Sequence, residues 1–256
     1  MKHARDSSRI PRRSRAGGRW MAGLGLWLMS FAGCADAPAP CTPPDSYKLD
    51  APYFCQQNEA LCWAACGQII MNYLGHNVDQ CAQVDDANKR NNRITDCCHH
   101  LGEGDCAVGG WPHFEDFGFT VSSNQAAMSW DKVREQIYCK RKPFAWSWCF
   151  VPCKPDDLEH NIGHMFVVYG YDTTTNGLRR LLVYNTEPAC SNSSSATPNT
   201  LTFPYDQYAN GQPDASGQLQ NVHWLDLYDI TWAGQVTNAG LPPTAASLPR
   251  RKSMAP

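Results

Sequence analysis

Thirteen cysteines, every one of them from Cys34 onward, limit what this chain can fold into more than any other feature. Such a density is at odds with a reducing cytosol and fits a compartment where disulfides persist. Zinc is the competing use of paired cysteines. Cys97 and Cys98 are adjacent, an awkward pair for one tetrahedral ion, and Cys149 and Cys153 are spaced C-x-x-x-C. No second C-x-x-C follows at finger-like spacing, so no metal or other cofactor is expected.

The compartment is indicated independently by the N-terminus. Residues 1–33 hold seven Lys/Arg and one Asp, a charge of +6 within a total of −2, which leaves −8 for the remainder. An acidic body without a basic run of its own argues against nucleic acid as a partner. The basic start leads into "WMAGLGLWLMSFAGC", an apolar run of signal-peptide length, too short to remain as a bilayer-spanning helix. Its end, "FAGC", resembles the bacterial lipoprotein box, which implies lipidation of Cys34 and a membrane contact through that anchor alone. An ordinary secretory signal cleaved nearby is the alternative. Either way the mature protein is expected outside the cytoplasm, in the cell envelope (lipid-anchored, periplasmic or surface) or secreted.

The expected organisation is a signal segment over 1–33, a Pro-rich tether over 34–46, one domain over 47–234 and a loose Pro/Ala-rich tail over 235–256. With 43% hydrophobic residues, nine Trp, ten Tyr and nine Phe, the domain can bury a sizeable core and is expected to be monomeric. From Cys62 to Leu74 apolar residues recur at helical spacing (Ala65, Ile69, Ile70, Tyr73), with Gly75 as the stop. Residues 77–110 are polar and cysteine-studded, which predicts mostly loop with short helices. "SWDKVREQIYCKRKP" reads as a second amphipathic helix ending before Pro143. Then the period changes: "FAWSW", "HMFVVYGYD", "LRRLLVYN" and "VHWLDLYDITW" are rich in β-branched and aromatic residues and read as strands. Helices first and strands after predict an α+β fold, a helical lobe packed on an antiparallel sheet. Trp146, Trp148 and Trp224 fall at strand spacing, where Trp is more often core than binding face.

Within "QQNEALCWAACGQIIMNYLG", Cys62 stands where the first helix begins. It can be a disulfide half, a packed core thiol or a nucleophile. A helix N-terminus favours a thiolate through its backbone dipole and unpaired N–H groups. A nucleophilic thiol also needs a base, usually a His oriented by a third group. Of the eight His, only His164 begins a strand-like run, and Asn185 at the end of the next strand can orient it. Singly, such residues are more often a bridged cysteine, a structural histidine and a turn-forming asparagine. The order Cys, His, Asn in fitting helix and strand contexts raises the functional reading.

These residues carry a resemblance. "Q-x5-C-W-A", from Gln56 to Cys62-Trp63-Ala64, resembles the papain-type oxyanion glutamine and Cys-Trp nucleophile. "GHMFVVYGYD" resembles the strand that holds the catalytic His. "DCCHHLGEGDCAVGGWP" resembles the papain-family segment whose Gly-Gly backbone lines the non-primed substrate cleft. The chain is similar to bacterial papain-like cysteine peptidases of the "CWAA" type over roughly Tyr47 to Trp232. The resemblance implies a papain-like two-lobe fold, with the nucleophile on the helical lobe and the His on the sheet lobe. It also implies that Cys62 is the nucleophile, and that its N–H and Gln56 are the oxyanion donors, with Gln57 as alternative. His164 is then base and acid, Asn185 the orienting residue, and Gly109, Gly110 and Trp63 substrate-binding. Papain-family enzymes carry a cysteine where this chain has Glu59, so the disulfide pattern must differ. They carry a shielding Trp where this chain has Glu187, which makes Glu187 a rival for the orienting role. The short interval from Cys34 to Tyr47 leaves no room for a long inhibitory propeptide. Cys149 and Cys153 are expected to close a small loop near the cleft.

The function so implied is peptide-bond hydrolysis through an acyl-enzyme, acting on a protein or peptide. Glutamine deamidation or transglutamination uses the same constellation and differs only in cleft shape. A catalytically dead, disulfide-stapled binding module is the reading from another class. If Cys34 is lipidated and Cys62 free, eleven cysteines remain, an odd number. One more must then be unpaired: Cys66, one helical turn beyond Cys62 and facing inward, or Cys41 on the tether.

Overall fold

A computed structural model describes residues 40–154, 161–190 and 197–234. The expected signal segment, Cys34 and the 235–256 tail lie outside the described residues. Among the described residues no helix is long and apolar enough to cross a membrane.

The described residues form an eight-stranded antiparallel sheet with helices on both faces, an α+β fold. The strands are β1 (Ser46–Lys48), β2 (Phe119–Asn124), β3 (Phe144–Phe150), β4 (Gly163–Thr173), β5 (Arg179–Asn185), β6 (Thr200–Pro204), β7 (Gln212–Pro213) and β8 (Leu219–Trp232). Their order is β2-β8-β3-β4-β5-β6, with β1 on β4 and β7 on β8. The helices are α1 (Cys62–Tyr73), α2 (Gln80–Arg90), α3 (Cys97–His100), α4 (Trp130–Arg134) and α5 (Tyr205–Asn210).

The β4 strand is central and shows why the sheet is covered twice. Met165, Val167 and Tyr169 join one apolar cluster with α1 and α2, through Trp63, Cys66, Ile69 and Val84. Phe166, Val168 and Tyr171 join the other, with Trp130, Val133, Trp146, Phe203 and Tyr208. A strand that alternates between two apolar layers reads as a continuous apolar run, as "HMFVVYGY" does. Trp146 and Trp224 are buried, in keeping with a core role.

Helix α1 starts without a side-chain cap. It ends as the spacing predicts, with Gly75 at φ 93° donating its N–H to Asn72 O at 2.9 Å, a conformation glycine adopts without steric cost. Its burial runs unbroken from Trp63 to Met71, because it is enclosed between the sheet and α2. The 77–110 region departs from expectation, since α2 is a regular eleven-residue helix. Three of its four buried residues are amides, Gln80, Gln83 and Asn88 beside Val84, which hides the apolar period. Gln83 Nε2 donates to Ala64 O at 2.8 Å and Gln80 Nε2 to Cys55 O at 2.9 Å. Asn88 Nδ2 donates to Asp105 O at 3.0 Å. Each of these buried amides donates to a backbone carbonyl, although Gln83 Oε1 is left without a partner. The expected second helix also differs: α4 is five residues long and continues as a π turn over Glu135–Cys139.

The Pro-rich stretch expected as a tether is fastened from Cys41 on. Cys41 is bonded to Cys139, and the Pro43 and Pro44 carbonyls accept from Arg134 and Tyr171. The other disulfides are Cys55–Cys190, Cys81–Cys98, Cys97–Cys106 and Cys149–Cys153. Cys97 and Cys98 therefore serve two separate bridges, and Cys149–Cys153 closes the small loop that the spacing predicts.

On the face opposite α1, Asp226 is fully buried, and burial pushes its carboxyl up to about 7. Tyr208 donates its hydroxyl to Asp226 at 2.5 Å and accepts from Met128 N–H at 2.8 Å, which ties α5 and the approach to α4 onto β8. Tyr208→Phe should therefore cost about 1–3 kcal/mol in urea unfolding, the cost of leaving buried polar groups underpaired. An unchanged urea midpoint would mean that the cluster contributes nothing.

Candidate active site

Cys62 is the first residue of α1, and His164 the second residue of β4. Helix α1 packs against β4, which carries His164. The Cys62 sulfur interacts with the backbone N–H of Met165, the residue after His164. Gly163 permits this end of the strand to pack tightly: a Cβ there would stand 2.2 Å from Trp148 O and 2.8 Å from the Trp224 ring.

His164 is buried and its ring meets Phe166 edge-on, with centroids 4.6 Å apart. Its Nε2 lies 2.7 Å from Asn185 Oδ1, across the register pair Phe166–Asn185. The Glu187 N–H donates to the same Oδ1 at 3.2 Å, which identifies that atom as the amide oxygen. An oxygen can only accept, so Nε2 carries the hydrogen. In the neutral ring Nδ1 is then the bare nitrogen, and it faces Glu187 Oε1 at 3.7 Å. Asn185 and Glu187 thus occupy opposite nitrogens of one imidazole. The two residues that compete for a single role in the sequence do not compete in space.

Burial pushes the Cys62 thiol up from its ordinary value. The N–H groups of Met165 and Trp63 pull it down, and the nearby Glu187 carboxylate pushes it up again. Burial likewise holds His164 below the ordinary imidazole value, against the upward pull of Glu187 and Asn185. The helix-start argument for a preformed thiolate is therefore overridden. Loss of hydration disfavours both charged forms, the thiolate and the imidazolium.

Gln56 is fully buried. Its Oε1 accepts from Thr186 Oγ1 at 2.9 Å, its backbone N–H donates to Thr186 O at 2.9 Å, and its Nε2 donates to Glu59 O at 3.0 Å. Cys190 N–H donates to Gln56 O at 2.9 Å beside the Cys55–Cys190 bond. The glutamine therefore clamps the turn after β5 to the strap before α1. Gln57 donates its backbone N–H to Gln80 Oε1 at 2.9 Å. Thr186 and the Cys55–Cys190 bridge were missed from the sequence, where a separation of 135 residues gives no signal.

Trp63 is buried beside the thiol and donates Nε1–H to Val108 O at 3.1 Å, which draws the Gly109–Gly110 segment alongside. A Cβ on Gly110 would stand 3.0 Å from the Trp63 ring, whereas one on Gly109 would meet open space. Among the described residues no group of three or more His, Cys, Asp or Glu side chains is disposed to hold a metal ion.

No known family model matches the chain, and no curated protein matches it in sequence. Solved structures similar to it include the peptidase domain of Streptococcus ComA, a bifunctional ABC transporter involved in quorum sensing. That likeness has 14% identity and a TM-score of 0.35, covering 71% of this chain and 98% of that one. The bromelain protease of Ananas comosus in complex with the E64 inhibitor is similar at 12% identity and a TM-score of 0.39, covering 74% of this chain and 99% of that one. A recombinant stem bromelain precursor is similar at 14% and 0.38, covering 75% and 71%. All three TM-scores are below 0.5.

Among the described residues two cysteines are unbridged, Cys62 and the fully buried Cys66; Cys41, the other candidate, is bridged. In native protein without reductant, iodoacetamide should label Cys62 with a pH midpoint above the ordinary thiol value, and Glu187→Gln should move that midpoint down. Cys66 should become reactive only on denaturation. A Cys62 midpoint near neutrality would show that the ion pair is preformed.

Proposed function

We propose that the protein is an exported thiol peptidase that cleaves peptide bonds through an acyl-enzyme on Cys62. One observation supports the reading: His164 Nε2 is held on the Asn185 oxygen, which leaves Nδ1 free, and the unbridged Cys62 thiol interacts with the N–H of the next residue, Met165. Five disulfides among the described residues are compatible with an oxidising compartment outside the cytoplasm. A lipid anchor at Cys34 would hold the domain to the envelope.

With the resting pair neutral, His164 acts as general base when substrate arrives. As the Cys62 sulfur bonds to the carbonyl carbon, the thiol proton passes to Nδ1 and the carbonyl electron pair moves onto oxygen. The Cys62 N–H and the second N–H of Gln56 Nε2 are the donors proposed for that oxyanion. Collapse breaks the C–N bond, and Nδ1 returns its proton to the departing amine nitrogen. Water then attacks the thioester while Nδ1 takes its proton. The C–S bond breaks, and the proton returns to sulfur. Asn185 keeps the ring oriented throughout, and Gly109 and Gly110 line the adjoining cleft.

A proteome-derived peptide library incubated with the purified protein tests the activity. New peptide termini in the mass spectrum support a peptidase, whereas one-dalton gains at Gln would make it a deamidase. Cys62→Ala, His164→Ala and the double variant should lose cleavage to a similar background, because the two groups act as one unit. Gln56→Ala should cost about 10²–10³ in kcat, as for one oxyanion donor in a serine protease. The Tm is read alongside, since Gln56 also clamps Thr186. Asn185→Ala should hurt more than Glu187→Gln. Full activity in Cys62→Ala would sink the proposal.

The two glycines separate cleft from fold. Gly109→Ala should slow turnover at an unchanged Tm, because its Cβ enters open space where substrate would lie. Gly110→Ala presses on Trp63 and should lower Tm as well. Undiminished activity in Gly109→Ala would remove that glycine from the cleft.

A further inference from the structure

Resting on the thiol-peptidase reading, we infer that Glu187 is a specificity residue on the leaving-group side, selecting substrates with Lys or Arg immediately after the scissile bond. The argument begins at His164. Its Nε2 is committed to Asn185, so the departing amine can take its proton only from Nδ1. During that transfer the amine nitrogen must come within hydrogen-bond distance of Nδ1, about 3 Å. Glu187 Oε1 already stands 3.7 Å from the same Nδ1. The carboxylate therefore flanks the place where the first residue of the leaving peptide emerges.

Three features fit a cation receptor there. The Glu187 side chain is 52% exposed, so a substrate side chain can reach it. Among the described residues no Lys or Arg pairs with it; its ionic neighbour is His164 alone. Its backbone is pinned on both sides, with its N–H donating to Asn185 Oδ1 at 3.2 Å and its carbonyl accepting from Asn199 Nδ2 at 2.6 Å. A carboxylate on a fixed backbone, without a permanent cation, attracts a mobile one. The long flexible stems of Lys and Arg suit a partner that cannot itself move far. The attraction also outlasts the chemistry. The new α-amine of the leaving peptide becomes an ammonium once water protonates it, and it too is drawn to this carboxylate.

The test is a competition in one pot between peptides identical except for the residue after the scissile bond, set as Lys, Arg, Leu or Glu. The parent peptide is one that the library identifies as cleaved. The wild-type protein should prefer Lys and Arg over Leu by up to roughly fivefold, the upper end of the range for an exposed ion pair. The preference should shrink at about 1 M salt, where the screening length falls to about 3 Å. Glu187→Gln should level the four peptides, and Glu187→Lys should favour the Glu peptide. The half-exposed side chain can be replaced without disturbing the backbone bonds that pin it. A uniform loss across all four peptides in Glu187→Gln would mean that Glu187 only tunes His164, and would overturn the inference. So would cleavage without a cation preference in the wild type, which leaves the peptidase reading standing. Absence of any cleavage by the wild type would remove both.

Discussion

The tie between the strap ahead of α1 and the turn after β5 is the constraint on which the candidate site depends. The thiol belongs to a helix and the imidazole and its amide partner to a sheet, and these parts are far apart in the chain. Gln56 and Thr186 exchange backbone and side-chain hydrogen bonds, and Cys55 is bonded to Cys190 immediately beside them. The turn so held follows Asn185 and contains Thr186 and Glu187; Asn185 and Glu187 face the two nitrogens of the His164 ring. A change in the strap would therefore be felt at the imidazole as directly as at the thiol.

Burial decides the chemistry of the resting site. A helix start and three backbone N–H groups favour the Cys62 thiolate, yet loss of solvation outweighs them and the thiol stays high. The same loss holds His164 low. Dipoles of this kind contribute a fraction of what a charge loses on leaving water. On the proposed mechanism the proton moves from sulfur to nitrogen as the carbonyl is attacked. Glu187 fits that sequence in time: it opposes a thiolate at rest and favours an imidazolium once the proton has moved.

Most of the sheet was legible in the sequence. The segments at 144–148, 164–172 and 222–232 carry aromatic and β-branched residues, and all three lie inside observed strands. Strand β2 was not read, because its pattern from Phe119 to Asn124 is polar and largely exposed, as suits the edge of a sheet. Helix α2 was not read, because amides rather than apolar side chains face inward, so the signal that periodicity depends on is missing. Apart from the short Cys149–Cys153 loop, the disulfide pairing was not legible either, since spacing along the chain carries no information about which distant loops meet.

The sequence by itself determined the α+β character, the cysteine-rich body, and the shortlist of Cys62, His164, Asn185, Glu187 and Gln56. The fold class and Cys62, His164 and Asn185 follow from local properties: residue type, period, and position at the start or end of an element; Gln56 and Glu187 entered only through the resemblance to papain-like peptidases. Only the tertiary structure decided which partner meets which imidazole nitrogen, that Cys66 rather than Cys41 stays unbridged, and that Gln56 clamps the turn beyond β5. It also decided that burial outweighs the backbone N–H groups at the thiol and raises it. These depend on distances of a few ångströms between residues far apart in the chain, and on how much water the packing leaves. Neither quantity has a local signature.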